Sequence, residues 1–99
     1  MIRWEEARTV LGQLEAVAAK LGVEVRFEAL GQDGDAAPTR GGLCRVKGED
    51  VIYVDSRLSP PDMCRVLAEA LSHFDLSDMF MPPAVRRLVE RASAVEPED

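Results

Sequence analysis

Apolar residues recur every three or four positions in some segments of the chain and every second position in others. In the first segment, Ile2 to Leu21, the spacing is that of one face of an α-helix. Gly22 follows as a residue that commonly ends a helix. The apolar face consists of Trp4, Ala7, Leu11, Leu14, Ala18 and Leu21, widened by Val10 and Val17. The pattern predicts an N-terminal helix that packs on a sheet.

The next part of the chain has the period of two that is typical of strands. Val23 to Leu30 alternates apolar and charged residues, which predicts a half-buried strand. Gly31 to Gly42 is rich in glycine and aspartate and is predicted to be a loop. Leu43 to Lys47 and Val51 to Asp55 are predicted to be the two strands of a hairpin, with "GED" between them as the turn.

Two helical segments follow the strands. Ser59 is a suitable N-cap, Pro60 and Pro61 suit a first helical turn, and Asp62 complements the helix dipole. The core face of this second helix is predicted to comprise Met63, Val66, Leu67, Ala70, Leu71 and Phe74. A short last helix is predicted to begin near Pro82 and Pro83, with Val85, Leu88, Val89 and Ala92 facing inward.

This order of elements predicts the fold class. One helix, three strands and two helices indicate an α+β fold with an N-terminal helix, a three-stranded, mostly antiparallel sheet and two C-terminal helices. The 99 residues suit one domain. We place that domain at residues 1–95 and interpret residues 96–99 as an acidic tail.

Composition narrows the classes of partner. The formal charge of −6 argues against nucleic acid, which requires a basic surface. The apolar runs are far shorter than the ~20 residues of a membrane span, and the charged N-terminal segment does not look like a signal peptide. We therefore expect no membrane association and a cytoplasmic location. In that compartment Cys44 and Cys64, which lack C-x-x-C spacing, are expected to be free and buried, with a disulfide between them as the alternative.

The stretch "LAEALSH", Leu67 to His73, offers candidate chemistry. In metallopeptidases of the H-E-x-x-H class, two histidines one helical turn apart bind zinc, and the glutamate after the first histidine is the general base. When the stretch is aligned with "LAHELGH", Glu69 stands at the first histidine and Ala70 at the catalytic glutamate. His73 matches the second histidine.

The wider segment "VIYVDSRLSPPDMCRVLAEALSH", Val51 to His73, resembles the ImmA/IrrE-type minimal zincins, in which a hairpin strand leads through a capped turn into the zinc-binding helix. The resemblance implies a zincin-like core. Because Ala70 cannot act as a base, it also implies a degenerate domain, for which we predict no catalytic residue and no cofactor. If zinc binds, the resemblance implies Glu69, His73 and Glu90 as its ligands.

Those three residues leave two interpretations open. One is a metal-dependent hydrolase with an atypical Glu/His site. The simpler one is an ordinary helix surface, on which Arg65 and Glu69 form an ion pair and His73 interacts with the helix dipole.

The segment "FDLSDMFMPPAV", Phe74 to Val85, is dense in methionine and phenylalanine. These side chains would either close the core or leave Met79, Phe80 and Met81 as a patch for a partner, because methionine-rich surfaces adapt to binding. We therefore predict a non-catalytic interaction or regulatory module that binds a protein partner or forms a homodimer. A structural accessory domain of a larger complex would show the same pattern.

Overall fold

The computed structural model describes residues 3–30 and 41–94 and confirms the predicted α+β fold and order of elements. The predicted acidic tail, residues 96–99, lies outside the described residues, as do residues 31–40 of the predicted loop. The elements are α1 (Trp4–Leu21), β1 (Glu24–Glu28), β2 (Gly41–Val46), β3 (Glu49–Asp55), α2 (Pro60–Leu71) and α3 (Pro83–Ala94).

The sheet is mixed, with the strand order β1–β3–β2. β2 is antiparallel to β3, as expected for a hairpin, whereas β1 is parallel to β3. This arrangement arises because the chain passes from one edge strand to the other before it returns along the centre. Glu28 pairs with Asp55, and Gly41 pairs with Val54. The end of β1, the start of β2 and the end of β3 therefore lie at the same end of the sheet.

The hairpin turns at Lys47 and Gly48, so its turn lies earlier than predicted. The two residues have φ angles of 52° and 81°. Positive φ at both central residues is the signature of a type I′ turn, whose twist matches that of the paired strands. Because two residues suffice for this turn, Glu49 and Asp50 belong to β3.

β2 begins at Gly41, inside the segment predicted to be a loop. Gly41 has a φ of 131°, and a Cβ atom built there would overlap with the carbonyl oxygen of Tyr53. Only glycine allows this approach of the two strands. The glycine that indicated a loop in the sequence is therefore what lets the strand start here.

The core lies between the sheet and the helices. Ile52 and Val54, at the centre of β3, are fully buried on the helical side. α2 contacts α1, α3, β2 and β3, so it is the central element of the helical layer. Its buried residues are Cys64, Leu67, Ala68, Ala70 and Leu71. Across the described part of the chain, the helices are too short or too polar for any of them to span a membrane.

Candidate functional site: the α2–α3 surface

The helix that carries "LAEALSH" begins as predicted. Ser59 is the N-cap, and its Oγ accepts a hydrogen bond from the Asp62 N–H at 3.4 Å. Pro60 and Pro61 occupy the first turn, where backbone N–H groups have no helical partner in any case. These local preferences fix the start of α2 and hence the register of every residue that follows.

The C-terminal end of α2 differs from the prediction. The helix ends at Leu71, whereas the apolar stripe predicted helix as far as Phe74. The hydroxyl of Ser72 donates a hydrogen bond to the carbonyl oxygen of Glu69 at 2.6 Å, and serine bonds of this kind compete with helix continuation. His73 therefore lies in the turn after the helix, and it is exposed.

The structure does not bring the three predicted metal ligands together. Glu69, His73 and Glu90 are all exposed, and residues 3–30 and 41–94 contain no group of three or more His, Cys, Asp or Glu side chains that could hold a metal ion. His73 lies beyond the last helical turn. Leu88 of α3 lines the same surface depression as Glu69. Glu90 lies about 160° around the helix from Leu88, so it is on the side of α3 away from Glu69.

Ala70 stands where the zincin pattern has its general base. Its side chain is buried in the core that α2 forms with α1 and the sheet. A methyl group cannot take a proton from water, and this one faces the protein interior. The position therefore supplies no base.

The predicted ion pair between Arg65 and Glu69 is wrong. Arg65 Nη2 instead bonds Asp62 Oδ1 at 2.9 Å, one turn toward the helix N-terminus. Asp62 lies three residues before Arg65 and Glu69 four residues after it, so both positions are within reach on the helix surface. Exposed pairs of this type contribute little to stability.

A groove runs between α2 and α3. It consists of two adjoining depressions, of about 380 and 310 Å³, that share Arg65, Leu88 and Arg91. The larger depression lies where the first turns of the three helices meet and is also lined by Glu6, Pro61, Cys64, Ala84 and Arg87. The smaller one is also lined by Ala68, Glu69 and Ala92. We call the two together the α2–α3 groove.

The charges in the α2–α3 groove are unevenly distributed. Arg65 and Arg91 belong to both depressions and so lie at its centre, with Arg87 nearby. Glu6 lines only the larger depression and Glu69 only the smaller one, so they lie toward opposite ends. Within residues 3–30 and 41–94, Arg87 and Arg91 have no ion-pair partner.

The predicted partner patch is divided by the structure. Met81 is only 6% exposed and belongs to the core, so it is not available to a partner. Met79 is partly buried against that core. Phe80 is 85% exposed, which is the largest value among the exposed large apolar residues described. The patch therefore reduces to one aromatic ring flanked by two anchored methionines.

Arg86 holds the backbone that precedes Phe80. Its Nη2 donates hydrogen bonds to the carbonyl oxygens of Leu76, at 3.4 Å, and Met79. Both carbonyls belong to the irregular segment between α2 and α3, whereas Arg86 lies in the first turns of α3. The side chain thus fixes this segment against the helix that follows it.

The two cysteines differ in environment. Cys64 is buried, its Sγ donates a hydrogen bond to the Ala7 carbonyl oxygen at 3.2 Å, and burial raises its pKa to about 11. The prediction of a buried thiol is therefore confirmed for Cys64. It is wrong for Cys44, which is exposed in β2. Leu43 pairs with Ile52, whose side chain faces the helices. Because successive side chains of a strand point to opposite faces, that of Cys44 points away from the helices.

An ion pair between a buried carboxylate and an exposed guanidinium closes the end of the sheet where β3 stops. Asp55 is 6% exposed, and its two carboxylate oxygens accept hydrogen bonds from Nε and Nη2 of Arg57, both at 3.0 Å. The Arg57 N–H also donates to Asp55, and the guanidinium reaches the Leu30 carbonyl. These bonds from Arg57 lower the pKa of Asp55 to about 2. We call this the Asp55–Arg57 clamp.

The sequence patterns described above predict neither the clamp nor the groove. "DSR" after a strand is a local signal for an aspartate that caps its own turn, and the four-residue spacing of Arg87 and Arg91 places them on one helix face. The groove itself depends on the meeting of three helices.

Comparison of the chain with protein-family models, curated proteins and solved structures found no match.

Proposed function

We propose that this chain is a non-catalytic, zincin-like interaction domain that binds a protein partner or a second copy through a surface centred on Phe80. The observation that carries the proposal is the 85% exposure of the Phe80 side chain. Transfer of a phenylalanine side chain from water to a protein contact is worth about 1.5–3 kcal/mol, and aromatic rings frequently dominate interfaces.

The surroundings of Phe80 support a preformed contact. Met81 is buried directly after it, and Arg86 binds the Met79 carbonyl directly before it. A ring presented between two anchored residues loses little conformational entropy when it binds. This distinguishes Phe80 from an apolar residue on a frayed end.

Two observations support the absence of peptidase activity. Ala70 is buried where the resemblance requires a carboxylate, and His73 lies beyond the end of α2. The zincin-like ancestry rests on the resemblance of Val51 to His73 and accords with a sheet strand that leads into α2 through a capped turn. A cytoplasmic location is part of the proposal and accords with two free thiols.

Site-specific photocrosslinking tests the proposal. Phe80 is replaced by p-benzoylphenylalanine, which retains an aromatic ring, and cells of the source organism are irradiated. The control carries the same probe at Arg45, an exposed residue of β2. We expect a specific crosslink, to another protein or to a second copy, from position 80 and not from position 45.

Sedimentation of the purified protein completes the test. Phe80→Asp should abolish the complex or dimer and leave the circular dichroism spectrum and thermal midpoint unchanged, because the ring contributes little to the core. A protein that sediments as a monomer at all concentrations and gives no specific crosslink from position 80 would refute the proposal.

A further inference from the structure

We infer that the α2–α3 groove binds a helical segment of a partner protein that presents carboxylates beside an apolar side chain. The inference rests on the proposed function, because it specifies the chemistry of one partner of an interaction domain. It concerns a different surface from Phe80 and is tested separately.

The shape of the groove suits a helix. The lining residues advance in step along α2 and α3, from Pro61 and Ala84 at one end to Glu69 and Ala92 at the other. Nine residues of α2 span about 12 Å, or roughly two turns of a bound helix. Binding of an amphipathic helix in a groove between two helices is a common mode of peptide recognition.

The floor of the groove is apolar. Leu88 is partly exposed and belongs to both depressions. Small side chains surround it: Ala68, Ala84 and Ala92. One large side chain among alanines leaves space for an apolar residue of the occupant, which supplies the hydrophobic part of the interaction.

The charges around this floor select the occupant. Arg87 and Arg91 are one helical turn apart and lack ion-pair partners among the described residues. Arg65 reaches the same centre from α2, although Asp62 already binds it. Guanidinium groups bind carboxylates through paired hydrogen bonds. Carboxylates should therefore occupy the centre, between Glu6 and Glu69 toward the two ends.

The same charges argue against a second copy in this groove. In a dimer with a two-fold axis through its centre, Arg65 and Arg91 would face the same residues of the other copy. Juxtaposed like charges disfavour association. A partner with the opposite charge is therefore the occupant that the groove favours, even though this chain carries a formal charge of −6.

Selection from a phage-displayed library of helical peptides, randomised on one face, tests the inference. We expect enriched peptides to carry Asp or Glu within one turn of Leu, Ile or Phe. Their affinity should fall about tenfold or more for Arg87→Glu and Arg91→Glu, because each substitution replaces an attraction by a repulsion. Replacement of the peptide carboxylates by lysine should restore binding to the Arg91→Glu variant.

Arg45→Glu is the matched control, since it makes the same change of charge on β2, away from the groove, and should leave peptide affinity unchanged. Enriched peptides that lack acidic residues, or that bind Arg91→Glu as well as wild type, would overturn the inference. So would a selection without enrichment. Peptides whose binding requires Phe80 but not Arg87 or Arg91 would overturn the groove inference and leave the proposed function standing.

Discussion

Arginine side chains have opposite roles in the Asp55–Arg57 clamp and in the α2–α3 groove. Arg57 is bound by both oxygens of a buried carboxylate and by a backbone carbonyl. Arg87 and Arg91 have no ion-pair partner among residues 3–30 and 41–94. A charge whose hydrogen bonds are made within the fold holds the fold together, whereas one that lacks them remains available to a ligand. The two cysteines differ in the same way, because the Cys64 thiol is bonded inside the fold whereas Cys44 is exposed.

The largest predicted difference is between the rates at which the two cysteine thiols react. At pH 8 the native protein should react with a thiol reagent at Cys44, while Cys64 reacts at least about a hundredfold more slowly. The elevated pKa of Cys64, about 11, lowers its thiolate population, and burial restricts access further. Cys44→Ser should remove the fast phase, and denaturation should expose both thiols. Equal rates in the native state would contradict the contrast between them.

Gly41→Ala probes the end of the sheet beside the clamp. The added methyl group overlaps with the Tyr53 carbonyl, and φ is unfavourable for alanine, so the free energy of unfolding should fall by roughly 3 kcal/mol. Gly12→Ala in α1 is the matched control. Nothing lies near its Cβ position, and it should stabilise the protein by about 0.5–1 kcal/mol. Urea denaturation measures both, and a neutral Gly41→Ala would contradict the close strand approach.

The contribution of the Asp55–Arg57 clamp to stability should depend on pH. The pKa of Asp55 is about 2 in the folded protein, below the ordinary value of 3.8. Its stabilising contribution is therefore complete above about pH 4 and is lost as the pH falls through 2. Asp55→Asn should lower the thermal midpoint at pH 6, and the gap to wild type should narrow as the pH falls toward 2. A gap that does not change with pH would contradict the clamp.

The groove arginines should have little effect on stability. Arg91→Ala and Arg87→Ala should change the free energy of unfolding by less than about 0.5 kcal/mol, because no ion pair is lost. Arg57→Ala, which removes both guanidinium bonds to the Asp55 carboxylate, should destabilise the protein clearly. Chemical denaturation of the three variants compares the two regions directly. A cost at Arg91 equal to that at Arg57 would remove the distinction between them.

The smallest effect is expected at the predicted metal ligands. Protein purified without chelator should contain substoichiometric zinc, and His73→Ala should not change that content, because Glu69, His73 and Glu90 are not gathered in the structure. Elemental analysis of wild type and variant provides the measurement. One equivalent of zinc that disappears in His73→Ala would instead support the hydrolase alternative.

Local preferences made most of the architecture predictable. The start of α2 followed from Ser59 and two prolines, and the order of elements followed from hydrophobic periodicity. The end of α2 did not, because the apolar stripe continues to Phe74 whereas the helix ends at Leu71, where the Ser72 hydroxyl bonds the Glu69 carbonyl oxygen. The glycines and aspartates around Gly41 predict a loop, whereas in the structure Gly41 allows a close approach of two strands.

The candidate sites were less predictable than the fold. Met81 and Phe80 are adjacent and both apolar, yet one is buried and the other exposed. That difference depends on how α3 packs. The groove depends on side chains from three helices, and the sequence does not specify their relative positions. The parallel pairing of β1 with β3 is likewise a long-range contact, and local turn patterns do not predict contacts of that kind.

The central position of β3 has a consequence for the order of folding. Every strand pair in the described sheet includes β3, and its parallel partner β1 lies 27 positions earlier in the register, with Glu24 beside Val51. The β2–β3 hairpin closes locally, whereas β1 must wait for a distant segment, and closing long loops slows folding. As the chain leaves the ribosome, β1 and β2 have no sheet partner until β3 emerges. Synthesis of β3 is thus the event that permits the sheet to form.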